Sequence, residues 1–380
     1  MTEIQPLKIS IDESAITDLR ERLSRTRWPD AETPDDWSQG IPLGYVQEVA
    51  DYWLNSYDMN RVADRLNAYP HFTTELDGVD VHFLHARSSN ADAKPLILTH
   101  GWPGSVVEFL KVIGPLVEPQ DHGGKASDAF HVVCPSLVGY GWSGKPTGPG
   151  WGVEKMGKEW GNLMARLGYN QYLAQGGDWG AIVTTHVALN DPEHCKGIHL
   201  NMVVAPPVPE LMEDLTDLEQ SALEGMQHYQ DWDSGYSKQQ STRPQTLGYG
   251  LVDSPVGQMA WIMEKFWAWT DCDGHPENVL TRDEMLDNVM VYWLNAAGAS
   301  SARLYWESFG SAGAGEEIAT PMGGSIFPKE IFRTSRRWAE KRFTKIVYWN
   351  ELNKGGHFAA FEQPEQFVSE VRGCFGEISI

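Results

Sequence analysis

Three short stretches carry side chains whose chemistries fit together. "AQGGDWGAIV" (174–183) sets Asp178 among Gly176, Gly177 and Gly180, after strand-formers and before a helix-like run. Those glycines permit a sharp, tightly packed turn of the kind that presents a nucleophile. "FPKEI" sets Glu330 after the strand-like "SIF", and "NKGGHFAAF" sets His357 after "KIVYWN". An aspartate, with an ordinary pKa near ~3.9, is ionised at neutral pH and needs no base before it attacks. It can displace a leaving group from saturated carbon and become an alkyl ester of the protein. Water activated by His357 can then open that ester, with Glu330 fixing the imidazole tautomer and stabilising the imidazolium. "THGWPGS" (99–105) also follows a strand-like run and nominates the Trp102 backbone N–H as one oxyanion donor. The N–H of Trp179, next after the nucleophile, is the other. Ser143 in "GYGWSG" lacks the G-x-S-x-G spacing and Ser105 sits in the donor turn, so neither displaces Asp178.

The leaving group sets a further requirement. A halide wants N–H donors or a positive field, whereas an epoxide leaves as a tethered alkoxide and wants a neutral acid beside it. A tyrosine, with an ordinary pKa near ~10, keeps its O–H at pH 7 and can hydrogen-bond the ring oxygen. Tyr236 in "DSGYSKQQSTRP" and Tyr305 in "SARLYWESFG" are candidates, but spacing alone does not single them out of thirteen tyrosines.

These residues need a scaffold, and the chain has two rhythms. Residues 12–26, 43–55 and 58–68 have helical spacing and end near "NAYPHF". Short strand-like runs follow at 79–85, 95–100, 130–136, 172–175 and 196–201, with helical patterns at 154–167 and 181–190. Strand–helix alternation predicts an α/β fold, a parallel sheet covered by helices on both faces. From about 206 to 320 the strand runs give way to helix formers and aromatics (211–229, 255–269, 281–296); they resume at 323–327 and 345–350, around a helical stretch near 334–342. A helical block at that place predicts a cap over the carboxyl ends of the strands, where sites in such sheets lie. The order nucleophile, acid, histidine is that of an α/β-hydrolase fold. The expectation is a mostly parallel, eight-stranded sheet flanked by helices: 1–75 a helical meander, 76–205 the first part of the core, 206–320 the cap and 321–380 the rest.

Composition bounds the function. The 380 residues carry 30 basic and 52 acidic side chains, a formal charge of −22, which argues against nucleic acid or anionic membranes as partners. Four scattered cysteines (Cys134, Cys195, Cys272, Cys374) read as reduced thiols rather than a disulfide frame or a zinc site. The N-terminal residues lack the pattern of a signal peptide and no apolar run reaches the ~18 residues of a membrane span, so a cytoplasmic chain is expected. The sixteen tryptophans read first as core packing, with the alternative that some line an apolar pocket.

The chain resembles the microsomal-type epoxide hydrolases, a family with mammalian, fungal and insect juvenile hormone branches. The likeness runs nearly end to end: "RLSRTRWPD", "LTHGWPGS", "GGDWGA", "STRPQTLGY", "DSPVGQMAWIMEKFWAWTD", "NVMVYW" and "GGHFAAFEQPE". The resemblance implies Asp178 as nucleophile, His357 as base, Glu330 as the acid in an FP-x-E setting, and Tyr236 and Tyr305 as ring-opening tyrosines. Fungal members carry aspartate where Glu330 stands. It also implies a small apolar epoxide and water as substrates, no cofactor and no metal, and it is compatible with a homodimer. Mammalian members begin with a membrane anchor that this sequence does not show, which suggests the soluble microbial branch. The residues 1–75 are expected to wrap the core and brace the cap. Two alternatives stand beside this reading. A haloalkane dehalogenase would share "GGDWGA" but not the paired tyrosines, and a non-catalytic ligand-binding relative would need a broken triad.

Overall fold

A computed structural model describes residues 3–310 and 315–380; residues 1–2, within the expected meander, and 311–314, within the expected cap, lie outside them. The sheet begins with three short antiparallel strands: β1 (Gln5–Leu7), β2 (His71–Leu76) and β3 (Val79–Ala86). The parallel part comprises β4 (Lys94–Thr99), β5 (Phe130–Pro135), β6 (Tyr172–Gly176), β7 (Cys195–Leu200), β8 (Met322–Ile326) and β9 (Ile346–Glu351). The nine strands lie in the order β1-β2-β3-β5-β4-β6-β7-β8-β9. All five residues of β6 and of β8 are buried, as expected of strands covered on both faces.

The ninth strand departs from the expected eight. It is β1, three residues paired only to β2 at the sheet edge. Pro6 suits that place, because an edge strand need not donate every backbone N–H. β2 also falls within the segment read as helical. Helices α1 (Glu13–Ser24), α2 (Leu43–Asn55) and α3 (Arg61–Leu66) fill the interval between β1 and β2.

Two helical layers flank the sheet. α4 (Leu110–Val117) packs with the C-terminal α15 (Pro364–Gly376), and α5 (Val153–Arg166) packs with α6 (Trp179–Asn190). Between β7 and β8 lie α7 (Asp217–His228), α8 (Gly235–Thr242), α9 (Pro244–Asp253), α10 (Pro255–Trp269), α11 (Arg282–Leu294) and α12 (Gly298–Ser308). α7 starts later than its apolar spacing suggests because Thr216 caps it, with Glu219 completing a reciprocal capping box. α13 (Arg336–Ala339) precedes β9, and α14 (Ala359–Glu362) and α15 (Pro364–Gly376) close the chain. The N-terminal helices touch this block, α1 and α2 against α10 and α3 against α11.

All four cysteines are buried and free. Among the described residues no group of His, Cys, Asp and Glu could hold a metal ion. Nor is any helix there long and apolar enough to cross a membrane.

Candidate active site

Asp178 stands between β6 and α6 with φ 53° and ψ −133°. A non-glycine residue with positive φ is strained, and here the strain aims the carboxylate out of the strand-to-helix turn. The turn "HGWPG", which contains a cis Trp102–Pro103 bond, lies against it. A Cβ at Gly101 would fall 2.2 Å from Asp178 Oδ1, so only glycine lets the two turns meet. The Trp102 backbone N–H consequently donates to Asp178 Oδ1 at 2.7 Å. Trp179 opens α6 directly after the aspartate, so its backbone N–H is among those a helix start leaves without an intrahelical acceptor.

The other oxygen faces the histidine: His357 Nε2 lies 3.2 Å from Asp178 Oδ2. His357 Nδ1 lies 2.6 Å from Glu330 Oε1, which also accepts the Ile331 N–H at 2.7 Å. Glu330 sits on the loop after β8 and His357 on the loop after β9, both beyond carboxyl ends of strands. All three predicted triad positions thus converge, and Glu330 and His357 are almost wholly buried. Burial opposes charge on the imidazole, but the Glu330 carboxylate and hydrogen bonds to Asp178 and Glu330 outweigh it and hold His357 well above its usual value.

Tyr236 comes from α8 and Tyr305 from α12, both buried in an aromatic cage over the aspartate. The Trp102 ring stacks on Tyr236 at 4.8 Å between centroids and meets Tyr305 edge-on at 5.9 Å. The two tyrosine rings are 5.7 Å apart. Burial pushes both hydroxyls well above their usual pKa, and the Asp178 charge adds to the shift. They are therefore neutral donors, and the proton of Tyr305 meets no acceptor among the described residues.

Sequence reasoning missed several supporting residues. Tyr229 exchanges a 3.1 Å hydrogen bond with Tyr236. Lys265 lies 4.9 Å over the Tyr236 ring and pairs with Asp233 at 2.7 Å, and the Trp269 indole also donates to Asp233, at 2.5 Å. Asn288 and Tyr292 of α11 hold the Trp102 turn, donating to Pro103 O at 2.7 Å and Gly104 O at 2.8 Å. Asp233, Lys265, Trp269, Asn288 and Tyr292 fall in the stretches "DSGYSKQQSTRP", "DSPVGQMAWIMEKFWAWTD" and "NVMVYW", but nothing in their spacing assigned them a role.

Comparison with known proteins now has a geometry to meet. Residues 4–109 match the family profile described as epoxide hydrolase N terminus, and residues 94–244 match that of the alpha/beta hydrolase fold. A Stigmatella aurantiaca protein, whose name assigns it provisionally to the epoxide hydrolases, is 53% identical over 99% of this chain and 85% of its own length. The chain belongs to the epoxide hydrolase family. Pig epoxide hydrolase 1 is 34% identical over 98% of the chain and 88% of its own. The solved structure of the Aspergillus niger epoxide hydrolase superposes with a TM-score of 0.89 at 30% identity, over 99% of this chain and 97% of that one. Members of the epoxide hydrolase family among these relatives thus span nearly the whole chain, N-terminal segment included.

Proposed function

We propose that the protein converts an apolar epoxide and water into a vicinal diol through an ester on Asp178. One observation carries this reading. The Asp178 carboxylate is held at one oxygen by the Trp102 N–H and at the other by His357, beneath two tyrosines that keep their protons. Oδ1, fixed by Trp102, becomes the ester carbonyl oxygen, which leaves Oδ2 to attack carbon. As the ring C–O bond breaks, Tyr236 and Tyr305 hydrogen-bond the departing oxygen and supply its proton. Esterification removes the anion beside His357 Nε2, so the imidazole gives up its proton to restore the one donated to the ring oxygen.

Neutral His357 is then the base for the second step. It takes a proton from water, and the resulting hydroxide adds to the Asp178 carboxyl carbon. The tetrahedral oxyanion rests on the N–H groups of Trp102 and Trp179. The acyl–oxygen bond breaks, the diol oxygen takes the proton from His357, and the carboxylic acid so formed at Asp178 passes its proton to His357 Nε2, which restores both the carboxylate and the imidazolium. Helices α7–α12 serve as a cap that brings both tyrosines over the sheet, and helices α1–α3 brace it. The aromatic cage favours apolar substrates.

With His357→Ala, alkylation persists while ester hydrolysis stalls. The intact mass of that variant mixed with styrene oxide rises by the mass of the epoxide, and Asp178→Ala abolishes the gain. A histidine variant that never gains mass, beside an active wild type, rules the two-step scheme out.

A further inference from the structure

Glu108 lies on the short 3-10 turn Val106–Phe109 that follows the Trp102 turn, and the steps above give it no task. Its carboxyl is packed where only glycine leaves room: a Cβ at Gly104 would lie 1.3 Å from Glu108 Oε1. Beneath the nucleophile is a cavity of about 20 Å³ whose walls include Glu108, Asp178, His357, Gln175, Asn201 and Thr99. That volume suits about one water, provided two to four polar partners surround it.

The walls offer such partners. Gln175 Nε2 donates to Asn201 Oδ1 at 2.8 Å. Gln175 Oε1 and Thr99 Oγ1 are buried and make no hydrogen bond among the described residues. Buried polar atoms of that kind ordinarily bind an ordered water. The cavity touches both groups that the hydrolytic step needs, the carboxyl of Asp178 and the ring of His357.

We propose that this cavity seats the hydrolytic water and that Glu108 positions it, accepting one O–H while His357 Nε2 accepts the other. The water's lone pair is then left to face the ester carbon of Asp178. Glu108 therefore serves the second half-reaction and not the first. Burial supports this role by pushing the Glu108 carboxyl up to about 8, with Asp178 adding to the shift and His357 opposing it. The group is then mainly neutral near pH 7 and places no second negative charge beside the developing oxyanion.

The inference rests on the two-step reading, and one experiment separates their failures. Rapid-quench mass spectrometry with styrene oxide gives the alkylation and hydrolysis rates separately for wild type, Glu108→Gln and Glu108→Leu, with Glu108→Met as the second apolar replacement should the leucine variant not fold. The apolar variant alkylates at the wild-type rate and hydrolyses the ester on the order of 10²-fold more slowly, the scale set by a misplaced reactant. Its ester consequently accumulates at steady state. Glu108→Gln, which keeps an accepting carbonyl, retains most of the hydrolysis rate. Unchanged hydrolysis in the apolar variant, or an equal loss in both half-reactions, overturns the assignment. A wild type and His357→Ala that form no adduct instead overturn the two-step reading itself.

Discussion

At the scale of single residues, the proposed reaction turns on moving one charge. His357 is buried between two carboxylates, and it holds its proton only because their attraction exceeds the cost of burial. In the proposed scheme, esterification of Asp178 cancels one of those charges and leaves burial unchanged, so the first step prepares the base for the second. Asp178→Asn mimics the neutral ester, so the apparent pKa of His357 is expected to fall below its wild-type value. Titration of its ring proton signals by NMR checks this; an unchanged or higher value contradicts the coupling. The identities and chain order of Asp178, Glu330 and His357 were legible because each follows a strand in a short glycine- or proline-marked turn. Which oxygen of Asp178 meets Trp102 and which meets His357 was not. That depends on the positive φ at residue 178 and on the 2.2 Å clearance at Gly101, which no spacing encodes. Glu108 was missed for a related reason, since a carboxylate one turn into "SVVEFL" looks like a solvated charge until its burial is seen.

At the scale of elements, α11 joins three parts of the molecule. One flank holds the Trp102 turn through Asn288 and Tyr292. The other buries Asp287, which accepts from Tyr57 Oη at 2.7 Å and Arg65 Nη1 at 2.7 Å, with Arg61 Nε at 3.3 Å. Asp287 is wholly buried while its neighbour Asp283 is about one-third exposed at 35%, and this contrast sets their worth. Removing one member of a buried ion pair leaves its partners uncompensated and costs about 3 kcal/mol, whereas an exposed pair contributes about 1 kcal/mol or less. Asp287→Ala is expected to lower the urea midpoint well beyond Asp283→Ala; equal shifts would deny the clamp. The sequence foresaw 255–269 and 43–55 with their observed bounds, because strong apolar spacing and an initial Pro or a hydrophobic run mark them. It did not foresee α8, α9 or α12. α8, for example, is "GYSKQQST", with few apolar residues, and it is helical because Tyr236, Ser237 and Gln240 pack inward. Tertiary contacts override weak local preference there.

At the scale of the whole molecule, buried titratable groups compete and their sum sets a pH optimum for stability. Burial pushes His85, His100 and His199 down to about 4, and it also lowers His71 and His82. The unfolded chain protonates its histidines below their ordinary 6.5, while the folded one resists, so these five groups withdraw stability as pH falls from 6.5 towards 4. Burial pushes Glu108 up to about 8 and Glu362 up to about 7, from an ordinary 4.5. Each keeps a proton that the unfolded chain has lost, so each withdraws stability as pH rises from 4.5 to its raised value. His357, held above its ordinary 6.5, likewise withdraws stability as pH rises beyond it. Between pH 4.5 and 6.5 the lowered histidines, which also include His131 and His186, outnumber the raised carboxyls of Glu108, Glu362, Glu264 and Asp287. Above 6.5 Glu108, Glu362 and His357 still lose stability with rising pH, while the lowered histidines no longer contribute a slope. The melting temperature is therefore expected to peak near about pH 6.5, measured by tryptophan fluorescence at about pH 5, 6.5 and 8. Glu362→Gln removes one proton held on the alkaline side and so flattens the decline between the upper two points. A melting temperature that climbs steadily from the most acidic to the most alkaline sample contradicts the protons retained at Glu108, Glu362 and His357.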